Sequence, residues 1–545
     1  MIAAAERPAL RRKDKPMMTR LLRSLLPILV LLACAGAPGW ALAHAALNNA
    51  TPPDGSVLAA APKQIELVFS EPVSPLALRL VGPDGIARNL GRFVLKDRTV
   101  VIEAPAALPG GTHVLSWRVV SEDGHPVGGS VVFSIGAPSG AAPDLGEQAD
   151  SGVRTLVWLS RFGLYLGLFL GCGAAASRAW IGPLAGGAGR FATTTMGLGL
   201  FCLPVALGAQ GLDALGASIG AFFQPAVWRA AAATSYVWTI LIAAMALACA
   251  LIGLSRPGVR AAVTGLLSVM LVGLALASSG HASAAQPQWL MRPAVFLHAS
   301  AIALWVGALL PLALALRGES GRNALGRFSG RIAWIVAALL LSGLVLACVQ
   351  VERPAALLAT TYGQVLLAKL ALAAVAFALA GFNRWSLTRR VEAGDIPAAR
   401  AMRRVIAVEL AVLVAVLGIV ALWRFTPPPR AMAMVQAQPA SVHIHTLPAM
   451  ADVTVTPGRA GPVIVTVVLM DGEFGPLLPR ELTLSFSNPA AGIEPIERPA
   501  RLGPDGIWRT EAFSLPVPGR WHVELEILIS DFEMRRIGDA IVLRP

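Results

Sequence analysis

At 545 residues, 55% of them apolar and only 14% charged, the chain is too apolar for a soluble globular protein and fits a polytopic membrane protein with several domains. A net charge of +13 would suit nucleic acid, but the excess is nearly all arginine, much of it in short segments between apolar runs, which is orientation information; nucleic-acid binding is not expected. Cys34 lies in an N-terminal apolar stretch and Cys172, Cys202, Cys249 and Cys348 in later ones, so the polar parts offer neither disulfides nor thiolate metal sites.

Along the chain, Leu25–Leu32 follows Arg20 and Arg23 and leads to Ala41-Leu42-Ala43, the layout of a secretory signal with an A-x-A cleavage site. A signal of ordinary length starts at Met17 or Met18. Cleavage after Ala43 makes His44 the new N-terminus. Leu32-Ala33-Cys34 also resembles a lipoprotein site; lipidation there would bury the His44 amine in a peptide bond, so the two readings exclude each other. Residues 44–136 carry short alternating stretches, such as Gln64–Phe69 and Val114–Val120, between turn signals such as Pro52-Pro53-Asp54-Gly55 and Gly82-Pro83-Asp84-Gly85. That punctuation predicts a β-sandwich. Residues 137–152 read as a linker.

From 153 to 425 eight apolar segments are long enough to span a bilayer: 155–176, 192–212, 228–254, 262–280, 294–316, 332–350, 363–383 and 405–424. An even number leaves both chain ends on one side. On the other side fall Arg178, Arg190, Arg256, Arg260, Arg317, Arg322, Arg327, Arg331, Arg384, Arg389, Arg390, Arg400, Arg403 and Arg404, against Arg292 and Arg353 on the first, with Arg229 at a boundary. This asymmetry puts the arginine side in the cytoplasm of a bacterial inner membrane, and both polar domains outside it. After Pro427-Pro428-Pro429, residues 430–545 turn β-patterned again, with Val463–Leu469, Leu482–Phe486 and Trp521–Ile527 as strands; a second, immunoglobulin-like sandwich is expected.

The chemistry begins at His44. A processed N-terminal histidine offers an amine and an imidazole from one residue, and Asp123-Gly124-His125 adds a carboxylate and a second imidazole. That tetragonal N,O set is a Cu(II) preference. D-G-H-P alone is weak, being also an ordinary turn. His113, in Gly111-Thr112-His113-Val114, reads as a structural strand residue. In the membrane region ionisable residues are functional candidates. His281 ends the fourth span on its outer side; His298 lies about a turn inside the fifth, with Trp305 at i+7 on the same face. Lys369 lies within the seventh span, with Glu409 of the eighth as a candidate partner. His443-x-His445 opens the last domain, where on a strand the two share a face and, with Met434 or Met450, form a weak second candidate for copper or zinc.

Residues 44–135 resemble the CopC family of periplasmic copper-binding proteins, through His44-Ala45, Pro53-x-Gly55-Ser56, Leu67-x-Phe69-Ser70-x-Pro72-Val73, Trp117–Ser121, Asp123–Val127 and Gly129-x-x-x-Phe133. The resemblance implies Cu(II) ligation by His44, Asp123 and His125. Some CopC proteins also have a Met-rich Cu(I) site, but no methionine lies between His44 and Asp150, so this domain lacks it. Residues 153–425 resemble the CopD copper-transport membrane domain, through Gly280-His281-Ala282, His298, Trp305-x-Gly307, Arg327-Phe328-Ser329, Thr361-Tyr362-Gly363-x-x-Leu366-x-x-Lys369, Asn383-Arg384-Trp385 and Arg403-Arg404-x-x-x-x-Glu409. The fusion is similar to YcnJ-type copper-acquisition proteins, and its tail to YtkA-like domains.

The resemblance implies Cu(II) capture outside the membrane and copper transport across it, in copper homeostasis or resistance, by a protein that is not an enzyme. Copper ions, the bilayer and other periplasmic copper proteins are the expected partners. Cu(I) in the membrane domain would draw on Met245, Met270, Met291 and the cysteines, which form no convincing cluster. The chain has no P-loop G-x-x-x-x-G-K-[ST], so it offers no ATP site. Two other readings stay open: a cytochrome b-like carrier with one haem between His281 and His298, and a copper buffer or sensor whose membrane part is an anchor.

Overall fold

The computed structural model describes residues 45, 47–69, 71–121, 126–139, 151–184, 187–318, 320–426, 428–430, 439–446, 449–471, 475, 477–530 and 533–544, and gives Asn48, Pro126, His281 and His445 as backbone only. The first domain is the expected sandwich. Its strands are β1 (Leu47–Thr51), β2 (Ser56–Leu58), β3 (Gln64–Phe69), β4 (Val73–Val81), β5 (Ala87–Asn89), β6 (Phe93–Lys96), β7 (Thr99–Glu103), β8 (Gly111–Ser121) and β9 (Pro126–Ile135). One sheet runs β1-β3-β7-β6 and the other β2-β9-β8-β4-β5. Period-two alternation decides which side chains enter the core: in β3, Ile65, Leu67 and Phe69 are buried while their neighbours are not. Phe69 meets Trp117 edge to face at 5.1 Å, joining the sheets. Trp117 stands opposite Gly129 in the β8–β9 register, and a Cβ there would lie 2.5 Å from the indole, so Trp117 requires glycine at 129. His113 is structural as expected: it is sealed from solvent, hydrogen-bonded through Nε2 to the Pro109 carbonyl at 2.8 Å and stacked on Phe133.

Among the described residues eight helices are long and apolar enough to cross a membrane: Ser151–Ser177, Ala188–Leu215, Tyr236–Ser255, Gly258–Ala277, Gln288–Ala315, Gly321–Val351, Thr361–Glu392 and Ile396–Phe425, here spans one to eight. Several boundaries differ from expectation, two of them because the backbone breaks an apolar run. The apolar run from 228 is broken at Thr234, whose extended backbone (φ −86°, ψ 153°) ends a short helix Pro225–Ala233, and span three starts only at Tyr236. Span four stops at Ala277; Gly280, at φ +97°, turns the chain into a separate one-turn helix, His281–Ala284, so His281 does not end that span. Small residues bring the helices together, as they do where lipid supplies no hydrophobic drive. Span one crosses span five at Gly173 and Gly307 so closely that a Cβ on either would overlap the other helix's backbone. At the arginine-rich end, Arg178 donates to the carbonyls of Gly253 (2.7 Å), Leu254 and Arg256, capping the end of span three where the helix dipole is negative. Asp395 caps span eight by accepting from the Ala398 amide at 2.9 Å. That bond, then Arg390, holds its carboxyl below the usual range, so the cap acts above the ordinary aspartate pKa and fades as pH falls through the lowered value.

The last domain contains β10 (Ala440–His445), β11 (Met450–Thr456), β12 (Gly461–Met470), β13 (Glu481–Asn488), β14 (Ile493–Leu502), β15 (Trp508–Thr510), β16 (Phe513–Leu515), β17 (Gly519–Ser530) and β18 (Glu533–Leu543). These strands do not separate into two independent sheets. They form one nine-stranded sheet, β10-β11-β12-β15-β14-β13-β17-β18 with β16 on β12, coiled until β10 lies against β18 around Trp521, Phe486 and Leu484. This near-barrel disposes of both sheet edges.

Both β-domains sit at the same end of the helix bundle. Arg118 of β8 reaches the carbonyls of Asp213 (3.3 Å) and Ala214 (3.5 Å) at the end of span two, and β1 lies beside β10. Replacing Gly307 by Val is expected to overpack the crossing with Gly173, at a cost of about 1–3 kcal/mol, and to lower the thermal unfolding midpoint of the purified chain. Gly197→Ala, where a Cβ meets nothing within 4 Å, serves as the control and should leave the midpoint unchanged or raised.

Candidate functional site

His44, Asp123 and His125 lie outside the described residues, as do the signal segment, most of the linker and Met434. What the structure gives is the frame around them. β8 ends at Ser121 and β9 begins at Pro126, so the four residues that include Asp123 and His125 join two strands paired from Gly111↔Ile135 to Val120↔Pro126. Val120 and Ser121 line one wall of a cleft of about 610 Å³, with Pro72, Val73 and Ser74 beside them. The opposite wall is the connection between the Pro225–Ala233 helix and span three, residues Ala232–Ser235 with Val237 and Trp238. The described end of β8, Val120 and Ser121, therefore lines a crevice between the first domain and the membrane bundle.

From that crevice hydroxyls continue as far as Ser279, two residues before His281 in the chain. Thr239, one residue past the cleft wall, shares hydrogen bonds with the hydroxyls of Ser278 (3.0 Å) and Ser279 (2.6 Å). Ser279 precedes Gly280 and His281, of which the backbone is described. His298 is deeper than expected, because span five starts at Gln288 rather than near 294: ten residues at 1.5 Å each put it about 15 Å along the helix. Its Nδ1 lies 3.2 Å from both the Leu339 carbonyl and the Ser342 hydroxyl, and its ring is wedged against Gly343 of span six. Packed so, His298 resembles a polar contact between spans more than an open axial haem ligand. Farther along, Trp305 stacks on Phe377 at 5.0 Å and lies against the Glu409 carboxylate. Glu409 is 2% exposed and accepts from Asn383 Nδ2 at 3.4 Å. Its Oε1 is sealed off without a hydrogen bond of normal geometry.

The expected Lys369–Glu409 pair is not formed. Lys369 places its ammonium 4.7 Å from the Trp423 ring, which stacks in turn on Tyr362. Glu409 precedes Trp423 by fourteen residues, about 21 Å of helix. The long lysine side chain reaches toward the near end of span eight, where an aromatic face receives its charge, while Glu409 stays in the middle of the bundle. In the last domain His443 and Asp452 stand opposite each other on β10 and β11, bonded through Nδ1 at 2.6 Å. Among the described residues no group of three or more His, Cys, Asp or Glu side chains could hold a metal ion.

Comparison with known proteins fits this arrangement. The CopC domain family matches residues 47–136, and the family described as copper resistance protein D, CopD, matches residues 322–423. Copper resistance protein C of Xanthomonas campestris pv. juglandis is 31% identical over 123 residues, which cover 21% of this chain and 96% of that protein. The chain belongs to the CopC family and carries a CopD domain behind it. Copper transport protein CutJ of Bacillus subtilis (strain 168) is 25% identical over 541 residues, covering 93% of this chain and 97% of that one. The crystal structure of CopC from Methylosinus trichosporium OB3b is 28% identical, covers 18% of this chain and 99% of that one, and gives a TM-score of 0.16. The CopD match takes in Lys369 and Glu409 in spans six to eight; His281, His298 and Trp305 lie before it.

Sequence reasoning missed the partners of the charges that organise one end of the helix bundle. Arg161 of span one donates to Gln210 at 2.9 Å and lies over the Tyr236 ring at 4.5 Å, and Arg424 pairs with Asp213. A charge at the rim of each apolar run was the available signal. It also missed Arg118, which sits in the quoted Trp117-Arg118 motif of the CopC domain. Arg118→Ala is expected to free the CopC domain from span two, so that amides of Ala232–Trp238 exchange hydrogen faster while those of β3 and β8 stay protected. Equal protection of both segments would show that the contact does not hold the domain.

Proposed function

We propose that the chain captures Cu(II) outside the bacterial inner membrane and passes copper into its membrane bundle for import. The observation that carries the reading is the cleft between the first domain and Ala232–Trp238, whose first-domain wall includes Val120 and Ser121, the last described residues before Asp123 and His125 in the chain. Capture uses the amine and imidazole of a processed His44, the Asp123 carboxylate and the His125 imidazole, all of which bind only when deprotonated. Affinity therefore falls as pH drops, first through the α-amine at about 8 and then through imidazole at about 6.5. The arginine asymmetry supports placing both β-domains in the periplasm.

The onward path we assign is the Thr239–Ser279–His281 line, then His298 with Ser342, then Trp305 and Glu409 with Asn383. Lys369 does not belong to it as a ligand, since its ammonium carries the wrong charge for a cation path and is engaged with Trp423. The chain's part in transport is to hold copper and to lend polar groups at successive depths where lipid offers none.

Three measurements test this. The mature N-terminus read by mass spectrometry should be His-Ala-Ala-Leu, because any residual extension would amidate the ligand amine. His44→Ala, Asp123→Ala and His125→Ala should each abolish the Cu(II) d–d absorption contributed by the first domain of the purified chain, and retention in all three sinks the site. Proteoliposomes should load labelled copper into their lumen, with His298→Ala and Glu409→Gln lowering the rate about ten-fold or more while leaving that absorption intact. Binding without lumenal copper would mean a buffer, not a transporter.

A further inference from the structure

The coiled sheet of the last domain sets β10, β11 and β12 side by side without a register shift. Two rows cross it. In one, His443 faces Asp452, which faces Val468; in the other, His445 faces Met450, which faces Met470. Residues opposite each other in such a sheet have Cβ atoms about 4.5–5.5 Å apart, and rows two residues apart are separated by about 7 Å along the strands. One small patch thus gathers two thioethers, two histidine positions and a carboxylate.

The patch lies off the domain's core. Ala451, Val453 and Val455 point into the core, and Met450 and Asp452 alternate with them on the other face. Asp452, Val468 and His443 on that face are exposed, as a solvent-facing row should be. Met450 is nevertheless 0% exposed and Met470 is half-buried, so the two thioethers are shielded where core packing does not require it. Asp452 holds the His443 ring through Nδ1 at 2.6 Å, the carboxylate–histidine contact that fixes ring orientation and tautomer beside metals.

We infer that this face of the last domain is a soft-metal site for Cu(I), built from Met450 and Met470 with the Asp452-oriented His443 beside them. Thioethers are soft ligands that select Cu(I) and imidazole accommodates it, and among the described residues the site provides no thiolate or metal-holding group of carboxylates and histidines. The patch begins on β10, the strand that lies against β1, whose first residue follows His44 by three positions. The domain behind His44 has no methionine, so the soft ligands stand on its neighbour. The site differs in ligands and oxidation state from the proposed Cu(II) capture site and does not rest on it.

The test uses the full chain in detergent with Cu(I) alone, supplied anaerobically against a competing chromophoric Cu(I) chelator. Losing an outer-shell partner of a metal typically costs about 10–100-fold in affinity. Met470→Leu, Met450→Leu/Met470→Leu and His443→Ala are each expected to remove one tightly held Cu(I) equivalent or weaken it at least about ten-fold. The Cu(II) d–d absorption should stay unchanged, so a failure here is read separately from a failure of capture. Leucine conserves methionine's volume, and Met470→Leu at the half-buried position provides the readout if the doubly substituted chain does not fold. Unchanged Cu(I) stoichiometry and affinity in Met470→Leu and His443→Ala would overturn the site and leave the methionines as packing.

Discussion

The contact between Arg118 and the end of span two is the constraint on which the arrangement of the chain depends. A helix ends with unpaired carbonyls and the negative pole of its dipole. Span two presents the Asp213 and Ala214 carbonyls there, and the guanidinium of a strand residue takes both. The same Asp213 uses its carboxylate to pair with Arg424 at the end of span eight. One residue thus ties the sandwich, the second span and the last span together, and the cleft lined by Val120 and Ser121 exists because that sandwich is seated. Were the sandwich only tethered by its linker, the end of β8 would have no fixed neighbour in the membrane bundle.

Inside the bundle, close packing and buried polar groups are two sides of one arrangement. Gly173 and Gly307 let spans one and five approach to backbone contact. Two residues before Gly307, Trp305 is held between Phe377 and the Glu409 carboxylate. The small residue sets the helix position; the large one uses that position to meet a carboxylate that would be costly in lipid without polar neighbours.

Much of this was legible in the sequence. Eight apolar runs, the strand alternation of both end domains and the quoted CopC and CopD motifs carried architecture and family directly. The misread features share a physical cause: hydropathy is blind to backbone breaks and to reach. The run from 228 is apolar throughout, yet Thr234 breaks it, and Ala277 and Gly280 take His281 off span four. Lys369 and Glu409 looked like partners because both are charged and buried by position, but fourteen residues of helix separate Glu409 from the ring that holds the lysine. Arg118 was visible only as part of a motif, since nothing local tells a strand arginine that its acceptor lies some ninety residues away. The His445–Met450–Met470 row was half seen: His445 and Met450 are close in sequence, whereas Met470 joins them only through the register of β12.

The contact between β1 and β10 closes the chain on itself: the first strand and the first strand of the final domain are neighbours, with all eight spans threaded between them. Such a ring can close only when the number of helices inserted is even. A chain that failed to insert one helix would leave its two β-domains facing opposite compartments, each with an uncovered flank. The junction between the ends thereby registers, on one side of the membrane, that the crossings between them are even in number.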